Sequence, residues 1–574
     1  MTKAKNNKWL RISLICLSVV VAGAVIAALW FSAHYKKVIR QQLPGMVAKA
    51  TDSLYLVSLQ DISINLLTRR ITVSGLRLHA DTARFALMEA GHRLPPQVFD
   101  IRVPQAEMRG ISWLALLTAK ELQLRQLLVR APELTVRTLP PDTLFHPRSG
   151  QQAQPAMKRV VLQRIDLLHP RVRFTDDAAK ADTSVLAASG SITLMQVTCD
   201  LRREQDTGAS FRTGGLALAL DSFVYEKTGG LYRFRTGAAR FSSRQQELVI
   251  RDLDLRPAVS KETFYKRIGQ QKEIYTLHFP EITIQQLAWQ ELLYRQQVFA
   301  AAMRLRTPAM TILMNRMLPP NTESKTGKFP HQLLQRLSLP VYIPAVHISS
   351  GKFTYTEINE KTKRAGDVPM RQVSGTISNV TNIPAYVRKN NICTIALHGI
   401  IMGGGDLQAT FKLFLDSREG RFTVTGKHGP MDGQLLNPTV KALALARIES
   451  MQLTGMDLFV EGDEHAGRGR FSIRYKDLKV ALEDVDEQGN MSRKGLMSFF
   501  ANNVLLYSDN PMQGQPVRQV TTSVTRDPYK SFFNLIWKNI FEGALRTALR
   551  NEGMVSQINS RKAAQEQERR AAGK

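Results

Sequence analysis

Apolar and polar residues alternate along most of this chain. Asp61-Ile62-Ser63-Ile64-Asn65-Leu66 is strict, and so is Glu281-Ile282-Thr283-Ile284. Leu407, Ala409, Phe411, Leu413 and Leu415 make a third set, and Phe471, Ile473 and Tyr475 a fourth. A period of two belongs to a strand with one buried and one wet face. Gly, Asn, Asp and Pro punctuate the runs, as in Thr228-Gly229-Gly230 and Gly403-Gly404-Gly405. Helical spacing is confined to the short pieces Ser112–Ala119 and Trp289–Gln296 and to one longer stretch near the C-terminus. The pattern predicts a mainly β fold: an elongated, twisted antiparallel sheet interrupted by short helices. Such a sheet must cover its apolar face, by sandwich packing, barrel closure or curling into a trough. The runs follow one another without obvious linkers, which favours the trough over separate sandwiches.

One stretch is written twice. Ile101–Thr138 returns from Leu277 at an offset of 176 without a gap. Pro104 falls on Pro280, Trp113 on Trp289, Leu116 and Leu117 on Leu292 and Leu293, Arg130 on Arg306, Pro132 on Pro308 and Thr135 on Thr311. Upstream, Ile71, Val73, Leu76 and Leu78 match Leu248, Ile250, Leu253 and Leu255 at 177. Downstream, the run from Val160 resembles that from Val341 at 181. Repeats of this kind mean supersecondary modules that share a core. The expected organisation is a first β unit at 50–180, connecting strands at 181–229, a second unit at 230–358 and a further β region at 372–525. Linker-like composition appears around Pro140–Pro155 and Pro319–Pro330, in matching places, as loops within a repeat would.

Ile12–Phe31 carries no charge. At 1.5 Å per residue it makes about 30 Å of helix, enough to cross a bilayer core. Trp9 and Trp30 stand at its ends, where interfacial aromatics belong. Lys3, Lys5, Lys8 and Arg11 precede it and Lys36, Lys37 and Arg40 follow, so charge alone does not set its orientation. A cleaved signal peptide is the alternative, with Ala22-Gly23-Ala24 as the cleavage site. Cutting there would leave an apolar N-terminus, so an uncleaved anchor at 12–31 is expected.

The balance of 78 Lys+Arg against 49 Asp+Glu gives a formal charge of +29. An anionic partner follows, nucleic acid or lipid headgroups. No nucleic-acid module is recognisable, and the basic residues alternate with apolar ones, as in Val172-Arg173-Phe174. A solvated sheet face accounts for them, with attraction to anionic lipid in addition. The 3 Cys show neither a CxxC pair nor zinc spacing.

From Tyr529 to Leu549 the period turns helical. Phe532, Phe533, Ile536, Trp537, Ile540, Phe541 and Leu545 gather on one side, Pro528 precedes, and Asp527 is the expected cap of a helix at 527–549. Two roles stand open: a plug over an exposed sheet end, or a membrane-interface helix with Phe533, Trp537 and Phe541 in the headgroups. The charged tail 550–574 follows.

The anchor, the run LVSLQDISINLLTRRITVSGLRL and the following VP…ISWLALL…LRQLLVRAPELTV resemble the N-terminal part of the AsmA-like family of bacterial envelope proteins. Gly433–Asp484 resembles that family's C-terminal region, through Gly433, Pro438, Gly455, Gly469 and Tyr475-Lys476-Asp477-Leu478. The resemblance implies a single-pass inner-membrane anchor, with residues 1–11 as a cytoplasmic N-terminus, and a periplasmic body. It also implies a β-groove similar to chorein-type lipid bridges, whose partners are phospholipid or other envelope lipid, the inner membrane and outer-membrane components.

No HExxH, GxSxG, P-loop or GxGxxG pattern is present. Glu461-Gly462-Asp463-Glu464-His465 is the densest set of possible ligands, and an exposed hairpin loop explains it better than a cation site. His169, His278 and His347 sit inside apolar runs, as structural histidines do. Neither catalysis, cofactor nor metal is expected. The expected function is lipid binding or transfer, with Ile62, Ile64, Ile282, Ile284, Phe411, Leu413, Phe471 and Ile473 as lining candidates. A non-catalytic envelope scaffold or outer-membrane protein assembly factor is the alternative.

Overall fold

The alternating segments form strands in a computed structural model. It describes residues 44–551 apart from short stretches, of which the longest are 140–157, 177–181, 201–210, 486–490 and 494–505. The expected anchor at 12–31, Trp9, Trp30, Trp113 and most of the tail lie outside the described residues. The chain divides into two compact units, one ending at Arg251 and one beginning at Asp252.

In the first unit, Asp61–Asn65, Arg70–Ala80 and Gln97–Arg109 follow one another as antiparallel neighbours. The strand Gln97–Arg109 then pairs with two segments end to end. Gln97–Arg102 pairs with Glu133–Thr138, and Gln105–Arg109 with the C-terminal half of Glu121–Arg130. Both segments run parallel to the next pair, Arg159–Leu168 and Arg171–Asp176. Asp182–Asp200 returns antiparallel to these, and Gly215–Lys227 antiparallel to it. Tyr232–Thr236, Ala239–Ser242 and the start of Glu247–Pro257 complete the unit.

The sheet is mostly antiparallel, as expected, and the parallel pairs are the exception. A parallel neighbour needs a crossover of a dozen or more residues. The two stretches of linker-like composition lie where those crossovers connect, 139–158 and, in the second unit, 316–340, which carries the short helix Pro330–Arg336.

The second unit repeats this pairing in register. Gln105 opposite Arg130 becomes Glu281 opposite Arg306, and Gln126 beside Arg164 becomes Ala302 beside Ala345. The breaks repeat as well. Ala131 and Thr307 take φ of 46° and 50°, and His169 and Ser350 take 50° and 54°. Each of the first two precedes a proline whose carbonyl accepts from the parallel neighbour, Arg171 N on Pro132 at 2.9 Å and Lys352 N on Pro308 at 2.7 Å. The other matched prolines follow from the same geometry. Pro104 and Pro280 stand opposite the breaks, between the last residue paired with one segment and the first paired with the next. A residue without an N–H costs no ladder bond there.

Beyond Val341–Ile358 the second unit continues antiparallel through Ala365–Thr381, Ile392–Ile401, Gly405–Phe414, Phe422–His428, Ala446–Gly462, Ala466–Val485 and Gln519–Thr525. Gly375, at φ +151°, meets the carbonyl of Ala396 so closely that a Cβ has no room. Gly190 in the first unit stands against Ala219 in the same way.

The C-terminal helix is Phe532–Ala548, shorter than expected at its start. Ser531 is the N-cap. Asp527 instead accepts from Tyr529 N at 3.0 Å, closing a turn around Pro528. The expected short helix at 289–296 is a single wide turn, Glu291–Arg295, anchored by buried Trp289. No helix among the described residues is long and apolar enough to cross a membrane.

Candidate functional site

Residues opposite one another in neighbouring strands point to the same face, so the register traces what each sheet presents. In the first unit Ile62 faces Val73, Val73 faces Ala106, and Ala106 faces Val129. The row continues through Leu167, Ile192, Leu218, Phe241 and Leu248. A second row beside it runs Ile64, Ile71, Met108, Leu127, Ile165, Leu194 and Leu216. Every position in both rows is apolar. The early strands are packed: Ile62, Ile71, Val73, Ala106 and Met108 are buried in one cluster that also takes in Val47 and Leu54. From Leu167 to Leu218 the first row is only half-buried.

The second unit carries a similar pair of rows. Ile284, Met303, Val346, Ile377, Ile395, Phe411, Val424 and Val460 succeed one another across eight strands. Alongside run Ile282, Leu305, Ile348, Gly375, Leu397, Ala409, Gly426, Leu458, Phe471 and Val520. Met303, Leu305, Ile348, Ile377, Ile395, Leu397 and Phe411 are half-buried, Ile377, Ile395 and Phe411 at the margin of the C-terminal core. Towards the C-terminal strands the face is sealed. Phe532, Leu535 and Ile536 of the C-terminal helix are buried against it, in one cluster with Phe471 and Ile473. Gly543 permits that approach, because a Cβ there would strike the Phe471 ring. Phe329, Phe422 and Phe532 close the end, with ring centroids 4.8–6.0 Å apart.

The lining candidates therefore divide. Ile62 and Ile64 lie on the first unit's rows, and Ile282, Ile284, Phe411 and Phe471 on the second's. Leu413 and Ile473 share that second face, on strands Gly405–Phe414 and Ala466–Val485. Leu413, Phe471 and Ile473 are 3%, 2% and 8% exposed and belong to packed core, whereas Phe411 lies in the half-open middle. Met303, Ile377, Ile395 and Leu397 escaped sequence reading. On the strand that carries Ile377, left-handed Gln372 and Asn379 interrupt the alternation. Of the interface candidates, Phe533 and Trp537 are 54% and 47% exposed, and Phe541 is half-buried.

The opposite face is polar and charge-paired. Arg109 hydrogen-bonds Glu107 and holds its carboxyl below the usual range, against the opposing effect of burial. Burial opposes ionisation of Asp166, but hydrogen bonds from Arg164, Thr193 and Gln126 outweigh it and keep that carboxyl low. The His278 ring lies 2.8 Å from Asp254, and His347 3.3 Å from Thr376. Of the acidic run Glu461–His465, Glu461 and Gly462 end a strand and Asp463–His465 form the hairpin loop, in which Glu464 is turned inward rather than exposed. Asp463 accepts from His465 N at 2.7 Å, and Glu464 pairs with buried Arg526. Among the described residues no group of His, Cys, Asp and Glu side chains is placed to hold a metal ion.

No protein-family model matches the chain, and no curated protein matches it.

Proposed function

We propose that this is a non-catalytic, membrane-tethered protein of the AsmA-like type that binds acyl lipids along the apolar faces of its sheets. The observation that supports it best is the middle of the second unit. Five successive strands there present in-register apolar side chains, most of them only half-buried. At about 4.8 Å per strand this is a strip of roughly 19 Å, ample for a stretch of acyl chain. Headgroups would remain in water, where the basic character of the chain suits anionic lipid. Each methylene moved from water onto the strip contributes about 0.8 kcal/mol. The uncharged segment 12–31 supports a tether, and the incomplete burial supports a lined surface rather than a dry sandwich.

The test is to purify the full chain in mild detergent and identify retained lipids by mass spectrometry. Phospholipid in constant proportion to protein is the expected result. A chain that carries none, and takes up none from vesicles of phosphatidylglycerol and phosphatidylethanolamine after delipidation, would end this reading.

A further inference from the structure

The last strand of the second unit, Gln519–Thr525, is an open edge. Its backbone pairs with Ala466–Ser472 on one side. Among the described residues nothing pairs with the other side. Natural edges are usually blunted by charge, proline or a bulge. This one has none of these: its sequence is QVTTSVT, its pairing runs from Ala466 opposite Thr525 to Ser472 opposite Gln519 without a register shift, and the C-terminal helix packs on its inner face, where the Thr522 hydroxyl donates to Asn539.

The sequence of that edge reads nearly the same in both directions about Thr522. Val520 and Val524 are equidistant from it, as are Thr521 and Ser523. Val520, Thr522 and Val524 are buried on the inner face, and Thr521 and Ser523 are exposed on the outer one. We propose that the edge pairs antiparallel with the same strand of a second copy, about a two-fold axis at Thr522. Val520 then meets the other copy's Val524, Thr521 meets its Ser523, and Thr522 meets its own equivalent. Each contact is of a kind that stabilises a strand pair, β-branched against β-branched and hydroxyl against hydroxyl. The contact is isologous, so it closes at two copies and does not propagate. Inner faces of the two copies fall on the same side of the joined sheet, because residues opposite one another share a face. A different partner's strand would have no reason to require the symmetry of VTTSV, which is why a second copy is the occupant the sequence favours. The inference is independent of what the apolar faces carry.

The test measures the mass of the full chain in detergent by light scattering across a dilution series. A concentration-dependent dimer is expected. Thr521→Lys with Ser523→Lys places like charges opposite one another at two points of the pairing. It should raise the half-dissociation concentration roughly tenfold or more. Thr521→Lys with Ser523→Glu places Lys against Glu at the same points and should restore the dimer. Both positions face solvent, so circular dichroism should report an unchanged fold for each variant. Three results would overturn the proposal. They are a wild-type chain that stays monomeric at every concentration, a dimer indifferent to the double lysine variant, and a lysine–glutamate variant as dissociated as the double lysine one.

Discussion

A carboxylate at Phe411 separates a lipid-bearing face from a sealed core. Phe411 lies opposite Ile395 on one side and Val424 on the other, and it is half-buried. Two positions along, Leu413 packs against Cys393 and Phe422 at 3% exposure. Replacing Leu413 by Glu forces a charge into packed apolar surroundings, which either unfolds the region or drives the carboxyl to protonate. Replacing Phe411 by Glu leaves the carboxylate a route to water, so the fold survives. The cost to a bound acyl chain can be worked from the strand spacing. With bonds of about 1.5 Å at near-tetrahedral angles and strands about 4.8 Å apart, roughly four methylenes of an extended chain cross each strand. Losing their burial costs about 3.2 kcal/mol at about 0.8 kcal/mol each, or roughly two-hundred-fold in retention. The assay is phospholipid per protein by mass spectrometry after identical detergent washes, with a thermal melt of each variant. Phe411→Glu should melt within a few degrees of wild type and lose its lipid, and Leu413→Glu should melt far lower. Wild-type lipid content in a well-folded Phe411→Glu chain would refute the reasoning. So would collapse of that variant to the melting behaviour of Leu413→Glu.

Other consequences are equally open to measurement. Burial pushes the His331 imidazole down to about 4, beside Phe329 and with neither ring nitrogen in a side-chain hydrogen bond. The unfolded chain therefore binds one more proton between pH 4 and 6.5, so this contribution is intact above pH 6.5 and is lost as pH falls towards 4, by about 3 kcal/mol in all; His331→Leu should flatten that part of the stability-against-pH curve from chemical denaturation. Burial also raises the Cys393 thiol to about 11 and raises that of Cys199; both should resist maleimide at pH 7 in the native chain and react on unfolding. Gly375→Ala has to displace the Ala396 backbone and should cost several kcal/mol in a denaturant melt, whereas Ala131→Gly and Thr307→Gly relieve left-handed alanine and threonine at about 1 kcal/mol each and should be neutral or stabilising. Gly543→Leu should lift the C-terminal helix from Phe471 and expose the sheet end, seen as faster hydrogen exchange along Ala466–Val485.

The β class and the polar–apolar alternation were legible in the sequence because a period of two depends on side chains alone. So was the duplication, carried by four prolines whose backbone role explains their persistence. The parallel pairs were not legible. A segment such as Glu121–Arg130 reads the same whether its neighbour runs with it or against it, and only the length of the following crossover distinguishes the cases. The helix start was misplaced for a similar reason: Asp527 closes a turn with the same side-chain acceptor that a cap would use.

Sequence could place candidates on a face but could not say how deeply each is covered. Phe411 and Leu413 are equivalent in period and face, yet one lies in the half-open middle and the other beneath packed rings. What separates them comes from distant chain, the crossover that brings Phe329 and the helix that brings Phe532 onto Phe422. The deeper record of the duplication is likewise in the backbone. Arg69 and Gln246, Gly75 and Asp252, Gly110 and Gln286, and Lys120 and Gln296 share left-handed φ at offsets of 176 or 177, though in no pair do the side chains agree. Three of these pairs stand in turns or at strand ends, where they fix the register of the neighbouring strand, and a one-residue slip in register turns every side chain of a strand to the other face. Losing a break would turn an apolar row outward, whereas changing the residue that occupies it costs only about 1 kcal/mol. The position of each break is thus held far more tightly than its identity, and it is the positions that keep Ile62 in line with Leu248 and Ile284 in line with Val460.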